Sequence, residues 1–483
     1  MINYKVIFHI IGFLLILTGM FMLTGIPFSI YYGSDDIAAL LISSFITALV
    51  GAAAWYLTRG RSSKEVTKRE GYIIVTFGWI FMSLFGALPF IIHGAIPSFT
   101  DAFFETMSGF TTTGATILTD IEAMPYGLLF WRSLTQWLGG MGIIVLSLAL
   151  LPLLGIGGMQ LFIAEVPGPT KDKIHPRVRE TAKRLWGIYF LLTLAESLLL
   201  FLGGMNLFDA ITHSFTTMAT GGFSTKNTSI GYYASPFIQY VIILFMFFAG
   251  INFTIHYYAL HRRFDFFKTN DEFRFYSLFI LIATLLVMIT HLSLDVRSFE
   301  ESFRQSLFHV VSLVTTTGFV TSDYENWAYF SRMIFFILLF VGGCAGSTGG
   351  GIKIIRHFVL LKNSLLELKR VVHPRAVIPV RVNGKSVSFE IISNMQAFFI
   401  FYILIFVLGS LIMSFIGLDF ISALGAVATS LGNIGPGIGT VGPVANFAHI
   451  PVIGKWFLSF LMLLGRLELF TVLILFSPAF WKR

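Results

Sequence analysis

Long apolar runs recur along the whole chain, and each is long enough to cross a membrane as a helix. A hydrocarbon core of about 30 Å takes about 20 helical residues. Ten such runs can be counted, near 5–29, 36–58, 71–95, 131–158, 184–205, 236–260, 275–295, 327–372 (interrupted), 391–417 and 452–478. Only 12% of the residues are charged, against roughly 25% in soluble domains. The sequence therefore predicts an all-α polytopic membrane protein with ten transmembrane spans.

Basic residues alternate from one segment between spans to the next. Segments 59–70, 165–186, 261–274 and 353–386 hold 23 of the 33 Lys and Arg residues. The positive-inside rule places these segments in the cytoplasm, and an even number of spans then puts both termini there. Such a surface can attract anionic membrane lipid or a protein partner. Because topology explains most of the net charge of +8, we expect no nucleic-acid partner.

Four short polar phrases, each between two apolar runs, share one pattern. Aligned on a glycine, they read DAFFETMSGFTTTG (101–114), DAITHSFTTMATGG (209–222), QSLFHVVSLVTTTG (305–318) and SALGAVATSLGNIG (422–435). Each has a hydroxyl side chain six residues before the glycine and Thr or Asn two residues before it. A single copy would suit a helix-capping turn. Four copies in register, each between membrane spans, indicate a shared function instead.

These phrases have the length of helices that cross half a membrane and return as extended loops. About ten helical residues reach about 15 Å. Non-helical backbone is tolerated at that depth only where protein buries it or where it lines a watery cavity. Backbone carbonyls and threonine hydroxyls can replace the water around a cation, and helix C-termini add partial negative charge. The four phrases together predict the lining of a cation pathway.

The whole chain resembles the Trk/Ktr/HKT superfamily of potassium-translocating proteins, and within it the bacterial TrkH-like subunits. The four phrases carry the resemblance together with WRSLTQWLGGMGIIVL (131–146), GGCAGSTGGGIK (342–353) and GRLELF (465–470). It implies two N-terminal spans followed by four repeats of span, pore loop and span around a pseudo-fourfold pore. The expected units are 1–70 for the N-terminal spans, then 71–165, 166–260, 261–372 and 373–483 for the repeats.

The resemblance places a potassium-selectivity filter at the aligned glycines. Three copies match its Thr-x-Gly pattern, and the fourth departs from it with Asn433 and Pro436. In plant relatives a serine at the first glycine is associated with sodium transport, so Gly114 favours potassium. The expected filter residues are Thr111, Thr112, Thr113, Gly114, Ala219, Thr220, Gly221, Gly222, Thr315, Thr316, Thr317, Gly318, Gly432, Asn433, Ile434 and Gly435. Potassium, as the transported ion, is the only metal expected, and no cofactor is expected in this chain.

A gate below the filter is also implied by the resemblance. Residues 342–351 include six glycines, and each glycine costs a helix about 1 kcal/mol relative to alanine, so the eighth span should break there. Arg466 lies near the middle of the last run, where a charge usually faces a cavity or a partner. The alternatives are close helix packing through small residues and a structural ion pair. The expected gate residues are Gly346, Ser347, Thr348, Gly349, Gly350, Gly351, Lys353 and Arg466.

The remaining polar residues in the apolar regions predict structural roles. Asp101 and Asp209 open their half-length helices, where N-capping would explain them. Glu105 and three histidines show no metal-binding spacing such as H-E-x-x-H, so we expect them to be satisfied packing positions. The histidines are His213, His256 and His309.

Partner and mechanism are implied in part by the resemblance. It suggests a homodimer in the bacterial inner membrane, regulated by a cytoplasmic nucleotide-binding subunit that is TrkA-like. Two mechanisms stay open: a gated potassium pore, or a symporter that couples potassium to protons or sodium by alternating access. Four parallel repeats favour the pore, although transporters also have broken helices and repeats. An enzyme would need convergent nucleophile or metal ligands, and no such set can be assembled.

Overall fold

The computed structural model describes residues 2–58, 66–142, 178–263, 267, 269–294 and 298–482. Within those residues the fold is helical apart from a two-stranded hairpin. Six helices are long and apolar enough to cross a membrane, and two bent pairs bring the number to eight. The fourth expected span, 131–158, lies partly outside the described residues. The protein is therefore polytopic, as predicted, although the described residues do not give ten spans.

Two of the ten apolar runs contain a sharp bend. Pro236–Ala249 and Phe253–Leu260 meet at 105°, and Val452–Arg466 and Phe470–Phe476 meet at 111°. At the first break the Gly250 carbonyl accepts a hydrogen bond from the amide of Cys344 (2.8 Å) rather than continuing the helical ladder. The sequence did not indicate these bends, because apolar content indicates burial in the membrane but not the straightness of the helix.

The N-terminal unit is a pair of closely packed spans. A 3₁₀ turn, Leu23–Gly25, joins its first two helices into a single span, Tyr4–Tyr32. The Ser44 hydroxyl donates to the Gly19 carbonyl (2.7 Å) across the pair. The Asp36 carboxylate accepts from the Leu128 amide (2.7 Å), which ties the unit to the first repeat. The helices are α1 (Tyr4–Met22), α2 (Ile26–Tyr32) and α3 (Ile37–Leu57).

Each of the four repeats contains a first span, a short pore helix and a second span. The first spans are α4 (Lys68–Gly86) with α5 (Leu88–His93), α8 (Val178–Leu202), α12 (Asp271–Leu294) and α16 (Phe389–Ile416). The pore helices are α6 (Phe99–Phe110), α9 (Leu207–Met218), α13 (Phe299–Val314) and α17 (Phe420–Gly432). The second spans begin with α7 (Tyr126–Gly140), α10 (Pro236–Ala249), α14 (Tyr329–Leu338) and α18 (Val452–Arg466).

Shorter elements complete the second spans and their connections. The α-helices among them are α11 (Phe253–Leu260), α15 (Ile354–Val372), α19 (Phe470–Leu473) and α20 (Pro478–Trp481). Strands β1 (Arg381–Val382) and β2 (Lys385–Ser386) pair antiparallel. The 3₁₀ turns are Ser229–Tyr232, Tyr324–Asn326, Gly439–Val441 and Ile474–Phe476. Arg69 Nη1 donates to the Lys482 carbonyl (2.9 Å), so the described end of the chain lies beside the start of α4.

The four pore helices begin with the same kind of cap. A polar side chain before each helix accepts the amide of the third helical residue, which satisfies a donor that the helix leaves free. The capping residues are Ser98, Asn206, Ser298 and Asp419. The prediction that Asp101 and Asp209 are the N-caps was wrong. Both stand at the third helical position, where a carboxylate is favoured by the helix dipole.

Candidate functional site

The four aligned phrases adopt one backbone conformation that is uncommon outside glycine. Two residues before each aligned glycine, φ lies between 52° and 59°, in Thr112, Thr220, Thr316 and Asn433. The glycines Gly114, Gly222, Gly318 and Gly435 follow with φ of 84°, 75°, 81° and 95°. A left-handed φ is unfavourable for a β-branched residue. Its presence in three threonines shows that the surrounding structure holds this backbone in place.

One hydrogen bond recurs at the end of every pore helix. The amide of the residue before the glycine donates to the carbonyl six residues before the glycine. The pairs are Thr113 to Ser108 (2.8 Å), Gly221 to Thr216 (2.8 Å), Thr317 to Ser312 (2.8 Å) and Ile434 to Thr429 (3.0 Å). The hydroxyl residues found by the alignment therefore also contribute their backbone carbonyls to this turn. All four segments therefore leave their pore helices through the same hydrogen-bonded turn.

The four loops close into a ring. A Cβ atom on any aligned glycine would lie less than 3.0 Å from the carbonyl oxygen of the residue before the glycine in the next repeat. These neighbours are Gly114 and Gly221, Gly222 and Thr317, Gly318 and Ile434, and Gly435 and Thr113. The order is first to second, second to third, third to fourth, and fourth back to first. The ring thus places the four phrases around one axis, as a pseudo-fourfold pore requires.

A cavity of about 200 Å³ lies against the ring and is lined in part by all four aligned glycines. Its wall includes the segments that follow the first and second glycines. These two segments are joined because the Asn227 side chain accepts the Ile121 amide (2.7 Å) and donates to Asp120 (3.0 Å). The hydrogen bond from Asn227 lowers the pKa of Asp120 below its ordinary value. Asp120 lies between Thr119 and Ile121, which both line the cavity.

The fourth phrase keeps the backbone of the others although its side chains differ. Asn433 has the left-handed φ of the threonines that it replaces. Its side-chain nitrogen donates to the Thr113 hydroxyl (2.9 Å) and to the Met462 carbonyl (2.8 Å). The substitution therefore joins the fourth repeat to the first. It breaks the symmetry of the side chains and not that of the backbone.

A loop between α14 and α15 packs against the ring where the pore helices end, on the side away from the cavity. This side is called below the ring. The helix ends at Leu338 and resumes at Ile354, as the glycine content predicts. The Gly350 amide donates to the Thr316 hydroxyl (2.7 Å). The Thr348 hydroxyl donates to the carbonyl of Met218 (3.0 Å), which is the last residue of the second pore helix, α9. The loop is therefore in contact with the filter phrases themselves.

The loop is also held from its other side. The Ala345 amide donates to the Glu272 carboxylate (2.6 Å), at the start of α12. The Lys353 ammonium donates to the Gly349 carbonyl and lies 3.5 Å from the Ser347 hydroxyl. These contacts give the loop a defined closed shape despite its glycines.

Arg466 joins the loop to the filter. It is the last residue of α18, and its guanidinium donates to the Thr112 hydroxyl (3.1 Å) and to the Thr348 carbonyl (2.8 Å). It also donates to the carbonyls of Gly139 (2.6 Å) and Gly140 (2.8 Å) at the end of α7. The positive group therefore lies immediately below the first filter phrase. Glu468, two residues later, forms its ion pair with Arg356 of α15.

Comparison with known proteins identifies the family. Residues 37–483 match the family described as TrkH, Cation transport protein. The Trk system potassium uptake proteins TrkH of Salmonella typhimurium and of Escherichia coli K12 are each 43% identical to this chain over 489 residues. In both cases 99% of this chain and 100% of the relative are covered. This chain belongs to the TrkH family.

A solved structure of the same family has the same fold. The crystal structure of the potassium transporter TrkH from Vibrio parahaemolyticus superposes with a TM-score of 0.89 and 39% sequence identity. The match covers 100% of both chains. The predicted resemblance, the membrane fold and the repeated pore loops are therefore confirmed. The individual filter and gate residues stay predictions within the TrkH fold.

Three TrkH-type repeats carry a polar side chain nine residues before the aligned glycine. Glu105, His213 and His309 occupy this position, and Ala426 occupies it in the fourth repeat. His213 hydrogen-bonds the Ser224 hydroxyl (2.9 Å), and His309 hydrogen-bonds the Ser322 carbonyl (3.2 Å). Each histidine side chain thus joins its pore helix to the segment that follows the filter. Among the described residues, no group of three or more His, Cys, Asp and Glu side chains could hold a metal ion.

Glu105 makes the corresponding connection in the first repeat through a charged group. Its carboxylate accepts from the Ile117 amide (2.9 Å), the Thr116 hydroxyl (2.9 Å) and Arg132 Nε (2.7 Å). The Glu105 and Arg132 side chains are 1% and 2% exposed. A buried ion pair of this kind becomes strongly destabilising when one partner is removed, because the other charge stays buried.

Glu105→Ala is therefore expected to lower the free energy of unfolding by about 3–5 kcal/mol. Thermal unfolding of the detergent-solubilised protein would measure the loss. The double variant Glu105→Leu with Arg132→Met removes both charges and should recover part of it. A double variant as unstable as the single one would contradict this account.

Sequence reasoning missed several residues that hold the site. Arg132, Gln136 and Arg356 were not singled out, although the first two are polar residues inside an apolar run. Charge within such a run was a usable signal for Arg132, as it was for Arg466. The sequence carried no signal for the pairing of Arg356 with Glu468, which are 112 residues apart.

Proposed function

We propose that this chain takes up potassium across the bacterial inner membrane through its ring of four filter loops. The observation that carries the proposal is the closed order of contacts between the four aligned glycines and the neighbouring carbonyls. The TrkH relatives named above are potassium uptake proteins. On this basis the chain is a transporter and not an enzyme.

The ring supplies what a dehydrated cation needs. Backbone carbonyls and the hydroxyls of Thr112, Thr220 and Thr316 offer oxygen atoms without a fixed charge. The four pore helices end at the ring, so their C-terminal dipoles favour a positive ion there. Potassium is the transported ion, and the function requires no cofactor in this chain.

The loop and Arg466 form the closed gate in this proposal. The loop occupies the space below the ring, and the guanidinium places a positive charge on the path of a cation. Opening requires that the loop leave the filter phrases and that Arg466 release Thr348. Displacement of both groups would connect the ring to the cytoplasm.

A cytoplasmic regulatory subunit of the TrkA-like, nucleotide-binding type is the proposed source of that displacement. The cytoplasmic end of α15 and the hairpin that follows are basic, with Lys362, Lys369, Arg370, Arg381 and Lys385. A cavity of about 490 Å³ lies between α15, the hairpin and α16. This surface suits an acidic partner or anionic lipid. Both termini are cytoplasmic in this arrangement, and the protein functions as a homodimer.

Rubidium uptake into liposomes that contain the purified chain alone tests the proposal. We expect uptake driven by the rubidium gradient, without an imposed proton gradient. Gly114→Ser should lower the ratio of rubidium to sodium uptake, because any side chain there would press on the Gly221 carbonyl. Uptake that depends strictly on a proton or sodium gradient would instead establish a symporter. The two broken spans would then belong to an alternating-access cycle.

A further inference from the structure

Of the four filter phrases, the second has the backbone that its own residues restrict least. Its residue before the aligned glycine is itself a glycine, so the peptide between Gly221 and Gly222 has no Cβ on either side. In the other phrases Thr113, Thr317 and Ile434 occupy the position. Glycine populates left- and right-handed conformations almost equally. This peptide is therefore the one most free to rotate and turn its carbonyl away.

The second phrase also lacks a support that two others possess. In the first, the hydroxyls of Thr111 and Thr113 lie 2.8 Å apart. In the third, the hydroxyls of Thr315 and Thr317 lie 2.8 Å apart. The corresponding residues of the second phrase are alanine and glycine, which have no hydroxyl. Its support must come from another part of the chain.

A side chain of the first repeat takes this place. Gln136, on α7, is fully buried. Its Nε2 atom donates to the Gly221 carbonyl (2.7 Å), and its Oε1 atom accepts from the Phe223 amide (3.0 Å). The side-chain amide of Gln136 therefore hydrogen-bonds the backbone on both sides of Gly222. A Cβ at position 221 would lie less than 3.0 Å from Gln136 Cδ, so the glycine makes room for the glutamine.

A second side chain on the same face of α7 contacts the next residues of the second repeat. Arg132 lies one helical turn before Gln136, and residues four apart share a helix face. Its Nη1 atom donates to the Ser224 carbonyl (2.9 Å), and its guanidinium lies 3.6 Å from the centre of the Phe223 ring. The ion pair with Glu105 fixes the arginine. Residues 221 to 224 are thus held from α7 in addition to bonds from their own pore helix, which are made by the Thr216 carbonyl and the His213 ring.

We propose that Gln136 is a specificity-determining positioning residue, which fixes the peptide between Gly221 and Gly222 so that the second repeat keeps its carbonyl in register with the other three. The proposal rests on the proposed function, since it assigns Gln136 to the potassium filter. Loss of this hold lets the peptide rotate and replaces an oxygen of the ring by an N–H group. A site with fewer fixed oxygens discriminates less between potassium and sodium.

The test is the ratio of rubidium to sodium uptake in liposomes for Gln136→Met, which keeps the length of the side chain and removes both hydrogen bonds. We expect the ratio to fall about tenfold, as the loss of two buried hydrogen bonds implies, while total cation flux persists. Gln136→Glu keeps the acceptor for Phe223 and loses the donor to Gly221, so it should show the same direction of change. If the methionine variant does not assemble, this second variant decides the question.

Gln239→Met is the matched control. Gln239 is a buried glutamine on α10 whose side chain donates to the Tyr233 carbonyl (2.9 Å) and accepts from Arg304. Its loss should leave the ratio unchanged. An unchanged ratio in the Gln136 variants, with Gly114→Ser still altering it, would overturn the role of Gln136 and leave the proposed function standing. An unchanged ratio in Gly114→Ser as well would overturn the filter itself.

Discussion

Replacing Gly318 by alanine is expected to abolish potassium uptake. The glycine has a φ of 81°, and an added Cβ would lie far inside contact distance of the Ile434 carbonyl. It would also lie 2.7 Å from Pro436 Cδ. The neighbour is backbone on one side and a rigid ring on the other, so neither can move aside without distorting the fourth filter phrase. The methyl group therefore acts on the ring and not only on its own residue.

Gly94→Ala is the matched control for this prediction. Gly94 has a nearly identical φ of 83°, and no atom would lie within 4 Å of its Cβ. It shares the backbone strain of Gly318 and lacks the contact with a neighbouring repeat, so uptake should be close to that of the unmodified chain. Uptake of radioactive rubidium by cells that lack other potassium systems would measure both. Equal uptake by the two variants would contradict the ring.

A graded effect is expected around the ring. The Cβ of Gly435→Ala would lie 2.8 Å from the Thr113 carbonyl, which is a milder contact than that at Gly318. We expect this variant to retain measurable uptake with a lower ratio of rubidium to sodium. The order of severity would then follow the spacing between neighbouring phrases.

The sequence alone could predict the repeated element, and the reason is local. Each phrase needs a residue with left-handed φ and a glycine two residues later. This requirement involves only neighbouring residues, so the sequence pattern shows it directly. The φ values of Thr112 and Gly114 recur in the other copies for this reason. The broken eighth span was predictable on the same ground, because its six glycines fall within ten residues, 342–351.

Of the features that the sequence could not predict, one depends on the exact start of a helix and the others on residues far apart in the chain. The caps of the first two pore helices are Ser98 and Asn206, and choosing them over the nearby aspartates requires the helix start to within three residues. The bend after α10 depends on a hydrogen bond from Cys344 to Gly250. Gln136 looks like an ordinary polar residue of a span until the second filter phrase is placed against it.

Arg466 links the loop to the first filter phrase. Its guanidinium is a fixed positive charge below the first filter phrase and also a hydrogen-bonded link to the loop. Both properties oppose cation flow in the closed state. Arg466→Ala is therefore expected to raise rubidium flux through the chain without any partner. A hydrogen bond from a charged group contributes about 1.5–3 kcal/mol, so the increase should be roughly tenfold or more.

Arg304→Ala is the control for the loss of an arginine. Arg304 lies on α13, pairs with Glu300 (2.8 Å) and is 8% exposed, so its removal should not open the gate. Flux of the Arg466→Ala protein equal to that of the unmodified chain would reject a role in the closed gate. Flux that rises equally in both variants would indicate a general loosening of the fold.

Arg466→Lys separates the two properties of this residue. Lysine keeps the positive charge, but a single ammonium cannot reproduce the planar arrangement of donors that now reaches Thr112, Thr348, Gly139 and Gly140. If the charge alone blocks the path, the lysine variant should stay closed like the unmodified chain. If the link to the loop dominates, its flux should rise toward that of Arg466→Ala. We expect the second outcome, because the Thr348 carbonyl is the contact through which Arg466 holds the loop against the filter.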